Sequence, residues 1–125
     1  MACWGAFFAG QRAVTLHDGK LFVPMTGVTE ENTASNPDYA CCTFRGSITK
    51  LDAQSGERVW KTSMMDEAQP RGVNASGVQQ YGPSGAGIWN APTIDAARGV
   101  LYTATGNAYG DPAPPTSDAV LALDL

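Results

Sequence analysis

Basic residues are scarce: eight Lys and Arg stand against twelve Asp and Glu, for a net charge of −4. No positive stripe could neutralise a run of phosphates, so no nucleic acid partner is expected. No apolar run approaches the roughly 20 residues that span a bilayer, so no membrane span is expected either. The apolar opening Ala2–Ala9 lacks the preceding basic residues of a secretory signal, and no signal peptide is read there. Histidine occurs once, at His17, and cysteine three times, at Cys3, Cys41 and Cys42. Without a Cys-x-x-Cys-His run, covalent haem is excluded from this stretch, as is a zinc site built on Cys and His clusters. Any metal would have to sit on oxygen ligands. Helical periodicity is missing as well.

What is present is punctuation. Fourteen Gly and eight Pro are scattered along 125 residues, which fits many short strands joined by tight turns and makes the chain all-β. Short runs rich in Val, Ile, Leu, Tyr and Thr predict strands at 13–16, 20–25, 47–51, 58–62, 92–94, 100–104 and 119–123. The runs recur in order. Gly19-Lys20-Leu21-Phe22-Val23-Pro24 returns as Gly99-Val100-Leu101-Tyr102-Thr103-Ala104. Gly46-Ser47-Ile48-Thr49-Lys50-Leu51-Asp52 returns as Asp118-Ala119-Val120-Leu121-Ala122-Leu123-Asp124. Asp52 and Asp124 are further apart than the roughly 40–50 residues of one propeller blade. Two loop-like stretches, 64–87 and 108–116, account for the excess.

One corner can be read physically. In Leu51-Asp52-Ala53-Gln54-Ser55-Gly56 the Asp carboxylate can accept backbone N–H groups across a turn that Gly56 closes. Trp60 then offers a large apolar face on the next strand. The second copy ends at Leu125, where its own turn and Trp should follow, and the chain reads as an excerpt. The predicted organisation is a partial β-propeller: blade one about 11–62, an inserted loop 63–87, and a truncated blade two about 88–125. Two blades alone leave open edges and unburied faces, so the isolated piece is expected to be marginal or self-associating.

The signature Leu51-Asp52-x-x-Ser55-Gly56-x-x-x-Trp60 resembles the recurring blade motif of the quinoprotein alcohol dehydrogenases, eight-bladed propellers that bind pyrroloquinoline quinone (PQQ). Cofactor-free propellers, including outer-membrane assembly lipoproteins, carry a similar one. A sharper resemblance lies in Trp89-Asn90-Ala91-Pro92-Thr93-Ile94-Asp95, followed by Leu101-Tyr102 and Thr105-Gly106-Asn107. In that family segment a Trp forms the floor under the quinone and an Asn eighteen residues on ligates calcium. Tyr39-Ala40-Cys41-Cys42-Thr43-Phe44-Arg45-Gly46-Ser47 and Tyr81-Gly82-Pro83-Ser84-Gly85-Ala86-Gly87-Ile88-Trp89 resemble the polyvinyl alcohol dehydrogenase branch in particular.

The resemblance implies PQQ and Ca2+ as cofactors, with Trp89 as the stacking surface for a planar tricycle and Asn107 as an amide ligand of the metal. Family members place a Glu shortly before the Arg-Gly of the third strand. Cys41 stands at that spacing here, and Glu30 or Glu31 at the end of the second strand is the carboxylate candidate, with Glu30, five residues after Met25, favoured by its match to the family's strand-to-Glu spacing. Cys41 and Cys42 resemble the adjacent-cysteine disulfide over the quinone, at a different place in the blade. Arg45 could pair with a cofactor carboxylate.

Each has a plainer reading. Trp89 could pack between blades, Asn107 could be a turn residue after Gly106, and the glutamates a solvated pair. The cysteines could be two thiols on opposite faces of a strand, and Arg45 a structural salt bridge. No catalytic residue is expected in this stretch, because the family's base Asp and its partner Arg belong to blades beyond Leu125. An alcohol substrate, a cytochrome c electron acceptor and a periplasmic location are implied by the resemblance alone. The competing reading is a cofactor-free propeller serving as a binding or assembly scaffold.

Overall fold

The computed structural model describes residues 13–125; the apolar stretch 2–9 and Cys3 lie outside them. Strands β1 (Thr15–His17), β2 (Lys20–Met25), β3 (Ser47–Asp52) and β4 (Arg58–Ser63) form an antiparallel meander in that order. A hairpin follows, made of β5 (Gln69–Val73) and β6 (Gln79–Gly82). A second meander is built from β7 (Thr93–Asp95), β8 (Val100–Ala104) and β9 (Val120–Asp124). The all-β reading holds. One short helix, α1 (Val28–Thr33), lies between β2 and β3. Among the described residues no helix is long and apolar enough to cross a membrane.

The sequence repeat is a structural repeat. In the first sheet Lys20 pairs with Asp52 and Leu21 with Leu51; in the second Val100 pairs with Asp124 and Leu101 with Leu123. The hydrogen bond from Ala53 N to Gly19 O (2.8 Å) has its counterpart from Leu125 N to Gly99 O (3.0 Å). Those two glycines share the same left-handed conformation, φ 67° and 68°.

The buried parity is opposite in the two copies. On β2 Phe22 and Pro24 are inward, whereas on β8 it is Leu101 and Thr103. Sheets stacked face to face in sequence must bury opposite faces, because side chains alternate along a strand. One core results, formed by Phe22, Ile48 and Met64 from the first unit, Ala86 and Ile88 from the connection, and Leu101 from the second. Trp60 closes it from β4, edge-on to Phe22 with centroids 6.1 Å apart.

The corner after β3 forms as its sequence requires. The Asp52 carboxylate accepts hydrogen bonds from Gln54 N (3.0 Å), Ser55 N (2.8 Å) and Ser55 Oγ (3.1 Å), and the Lys20 ammonium donates at 2.8 Å. Lys20 first, and then the turn donors, hold this carboxyl well below the usual carboxylate range. A depressed folded-state pKa contributes stability that is present above the ordinary Asp value and lost as pH falls toward the folded value. Replacing Asp52 by Asn is therefore expected to lower the stability of the full-length protein at neutral pH. The deficit against wild type should shrink below about pH 4, as followed by denaturant unfolding at a series of pH values.

Two elements depart from the sequence expectation. Residues 64–87, read as loop, contain the β5–β6 hairpin, whose turn is set by Asn74. Its Oδ1 accepts from Ser76 N and Val78 N, both at 3.0 Å. Every residue of β5 is exposed, so its strand carries no alternation of apolar and polar residues. Helix α1 is six residues of β-branched and acidic character, too short to show a period.

Candidate functional site

Three connecting segments meet at one end of the two sheets. Residues 84–88 run between 44–46 on one side and 106–109 on the other, joined by backbone hydrogen bonds. Gly85 N donates to Phe44 O and Gly46 N to Gly85 O, both at 2.9 Å. Across the other edge Ala86 N donates to Asn107 O (2.9 Å), Gly106 N to Gly87 O (2.8 Å) and Tyr109 N to Ser84 O (3.0 Å). The ribbon is tied to β2 where Ile88 N donates to Met25 O (3.0 Å). This pairing satisfies the backbone of chain that leaves the sheets, and it fixes the side chains that the segments carry.

Trp89 follows the central segment and is 37% exposed. Gly106 lies against the edge of its indole: a Cβ added there would come within 3.1 Å of Trp89 Nε1. Asn107 is next in the chain, so the ribbon brings Trp89 and the Asn107 loop together. The backbone carbonyl of Asn107 belongs to the ribbon. Its side chain is exposed, and Nδ2 donates to Ala108 O (3.1 Å).

Glu30 and Glu31 both sit on α1, but their surroundings differ. The Glu30 carboxylate accepts from the main chain of Thr43 (3.0 and 2.9 Å) and Phe44 (2.6 Å). It also accepts from the hydroxyls of Thr43 (3.2 Å) and Tyr39 (3.2 Å); the Ser84 hydroxyl lies 3.4 Å away and gives its one proton to Phe44 O (2.8 Å). Glu31 acts on Tyr109 by charge. That phenol stacks on Phe44 with centroids 5.9 Å apart and donates to Gly27 O (3.3 Å). Its pKa is pushed up to about 12, by burial first and then by the charges of Glu31 and Glu30.

Cys41 and Cys42 are joined as a vicinal disulfide. The pair is packed among Tyr109, Ala34, Tyr39 and Phe44, with Cys42 0% and Cys41 4% exposed. Those side chains enclose the bridge. The Arg45 guanidinium points away from this cluster, toward Glu67 (3.3 Å) and Met65 O (3.5 Å). With the Glu67 side chain 80% exposed, this ion pair adds little stability. An open cavity of about 610 Å³ lies beyond it, lined by Met64, Met65, Arg71, Pro83 and Pro114 among others. Neither Trp89 nor Asn107 lines it. Among the described residues no three His, Cys, Asp or Glu side chains converge as a metal cluster.

The side chains that sequence reasoning missed are Tyr39, Thr43, Ser84 and Tyr109, which surround Glu30 and the disulfide. The one available signal was an aromatic residue, Tyr109, inside a stretch of Gly and Pro, where a large ring needs something to pack against.

A family model described as "PQQ: Glucose/ethanol/alcohol dehydrogenase, beta-propeller domain" matches residues 19–124. The chain belongs to the PQQ dehydrogenase β-propeller family. Within it the chain is similar to the polyvinylalcohol dehydrogenase of a Pseudomonas species, at 46% identity over 112 residues. It is also similar to the polyvinylalcohol dehydrogenase of Sphingopyxis sp. strain 113P3, at 42% over 113 residues. These matches cover 89% and 90% of this chain and 17% of each relative. The PQQ dehydrogenase assignment agrees with the repeated meander and with the face-to-face packing of its two copies.

Proposed function

We propose that this chain supplies part of the cofactor site of a quinoprotein alcohol dehydrogenase, whose substrate is an alcohol and, by likeness to the two named relatives, a polymeric one such as polyvinyl alcohol. The observation that carries the reading is the exposed Trp89 indole held beside the Asn107 loop by the Gly106 contact. An exposed indole fits a flat conjugated ring, for which it is the largest stacking surface among side chains. An amide oxygen fits calcium, which takes six to eight oxygen ligands. The carboxylate would come from the Glu30–Glu31 pair of α1.

The chemistry such cofactors supply is Lewis-acid polarisation of a quinone carbonyl and acceptance of two electrons from the alcohol. The part of this chain is to bind and orient: Trp89 offers the floor, Asn107 an oxygen, and the ribbon holds both in register. The base that takes the alcohol proton belongs to another part of the parent protein. A cytochrome c as electron acceptor and a periplasmic location complete the proposal.

The test is reconstitution of the full-length parent with PQQ and calcium, followed by reduction of an artificial electron-accepting dye. Reduction that needs alcohol, quinone and metal together is the expected result. A protein that takes up neither cofactor and reduces no dye would instead be the scaffold type of propeller.

A further inference from the structure

The two glutamates of α1 are adjacent in sequence and are not equivalent. Four donors converge on Glu30: the main-chain N–H groups of Thr43 and Phe44 and the hydroxyls of Tyr39 and Thr43. An ionised carboxylate has about four lone-pair sites, and Thr43 N already spans both oxygens. Such a group has no lone pair left for a cation. Its donors come from residues 39–44, which contain the Cys41–Cys42 disulfide.

The same loop is sewn to the hairpin, with Tyr81 N donating to Cys41 O (2.6 Å) and Cys42 N to Tyr81 O (3.3 Å). Ser84 Oγ of the ribbon donates to Phe44 O (2.8 Å). Glu30 is thus the ionic centre of a knot that presses the disulfide loop onto the strip carrying Trp89. Glu31 takes part in no such knot: beside Glu30 on α1, its carboxylate accepts no hydrogen bond and makes no ion pair among the described residues.

We propose that Glu30 is a positioning residue that clamps the disulfide loop to the ribbon, and that Glu31 is the carboxylate left to face a metal. The second half rests on the calcium reading above; the first does not.

The test uses the full-length parent. In wild type, amide hydrogen exchange at Thr43 and Phe44 is followed with calcium bound and after chelation. Protection in both states is expected, because the Glu30 carboxylate stays on those amides. Exposure of the two amides on adding calcium would overturn the clamp, since it would mean that the carboxylate turns to the metal.

Two variants separate the glutamates. Glu30→Gln loses charge and sets an NH2 group against main-chain donors. It is expected to speed reduction of Cys41–Cys42 by mild thiol about tenfold or more, given the usual strength of hydrogen bonds to charged groups. Its calcium affinity should stay within about threefold of wild type, whereas Glu31→Gln should lose about tenfold or more. Loss of calcium in Glu30→Gln with an unchanged rate of disulfide reduction would refute the assignment. Should Glu30→Gln fail to fold, the wild-type exchange experiment decides alone. A wild-type protein that binds no calcium would end the calcium reading and the role of Glu31, while persistent amide protection would still support the clamp.

Discussion

Replacing Gly46 by Ala should destabilise the full-length protein by about 3 kcal/mol or more, the upper range for overpacking a filled interior. Gly46 sits where two backbones cross. Its N–H donates to Gly85 O and its carbonyl accepts from Met64 N, each at 2.9 Å. A Cβ would run into the carbonyl of Ala86, reaching 2.5 Å from its carbon and 3.0 Å from Gly87 N. Backbone cannot rotate away as the end of a side chain can, so either the ribbon opens or β3 shifts. The first costs the Gly46–Gly85 pairing and the second disturbs the core around Ile48, which is fully buried. Gly110→Ala is the control: nothing lies within 4 Å of its added Cβ, and the change should stay within about 0.5 kcal/mol. Denaturant midpoints of the two variants decide it. A Gly46→Ala protein as stable as Gly110→Ala would show that segments 44–46 and 84–86 do not cross as described.

Trp89→Ala should weaken quinone binding by the parent about ten- to hundredfold, taking the 1–3 kcal/mol that stacking on an aromatic ring is worth for a nucleic-acid base. The fold should survive, because over a third of the residue is already in solvent and it is not among the side chains of the core. Asn107→Ala separates two roles of one residue. Its carbonyl pairs with Ala86 N and is kept, while its exposed amide bonds only the neighbouring Ala108 O among the described residues. Stability should therefore change little and calcium affinity fall about tenfold, as for loss of one oxygen from a shell of six to eight. Equilibrium titration with quinone and metal, beside thermal unfolding, reads both outcomes. An Asn107→Ala protein that binds calcium like wild type would remove that residue from the metal shell.

The parts of the fold legible in the sequence were those in which side-chain pattern and backbone agree. Strands β2 and β8 alternate inward and outward residues between Gly turns, and the corner after β3 carries its own hydrogen-bonding residues at Asp52 and Ser55. The reversed burial in the two copies could not be read, because it depends on which neighbour each sheet faces and the pattern of either copy is apolar on both sides. The β5–β6 hairpin left no trace, since its first strand is wholly exposed and contains Pro70 and Gly72.

The candidate site divides along the same line. Trp89 and Asn107 were picked out by resemblance to the family segment, but the contact that joins them is made by Gly106, which has no side chain to signal it. Glu30 and Glu31 could not be told apart in sequence. What separates them is a set of main-chain donors from residues 43 and 44, and main-chain groups are the same at every position.

The central claim is that Trp89 and Asn107 belong to one cofactor site. A crystal structure of the full-length protein grown with PQQ and calcium tests it most directly. The quinone plane is expected to lie on the Trp89 indole, with the metal bound to Asn107 Oδ1. A quinone seated elsewhere, with Trp89 buried between two blades and Asn107 facing bulk water, would contradict it.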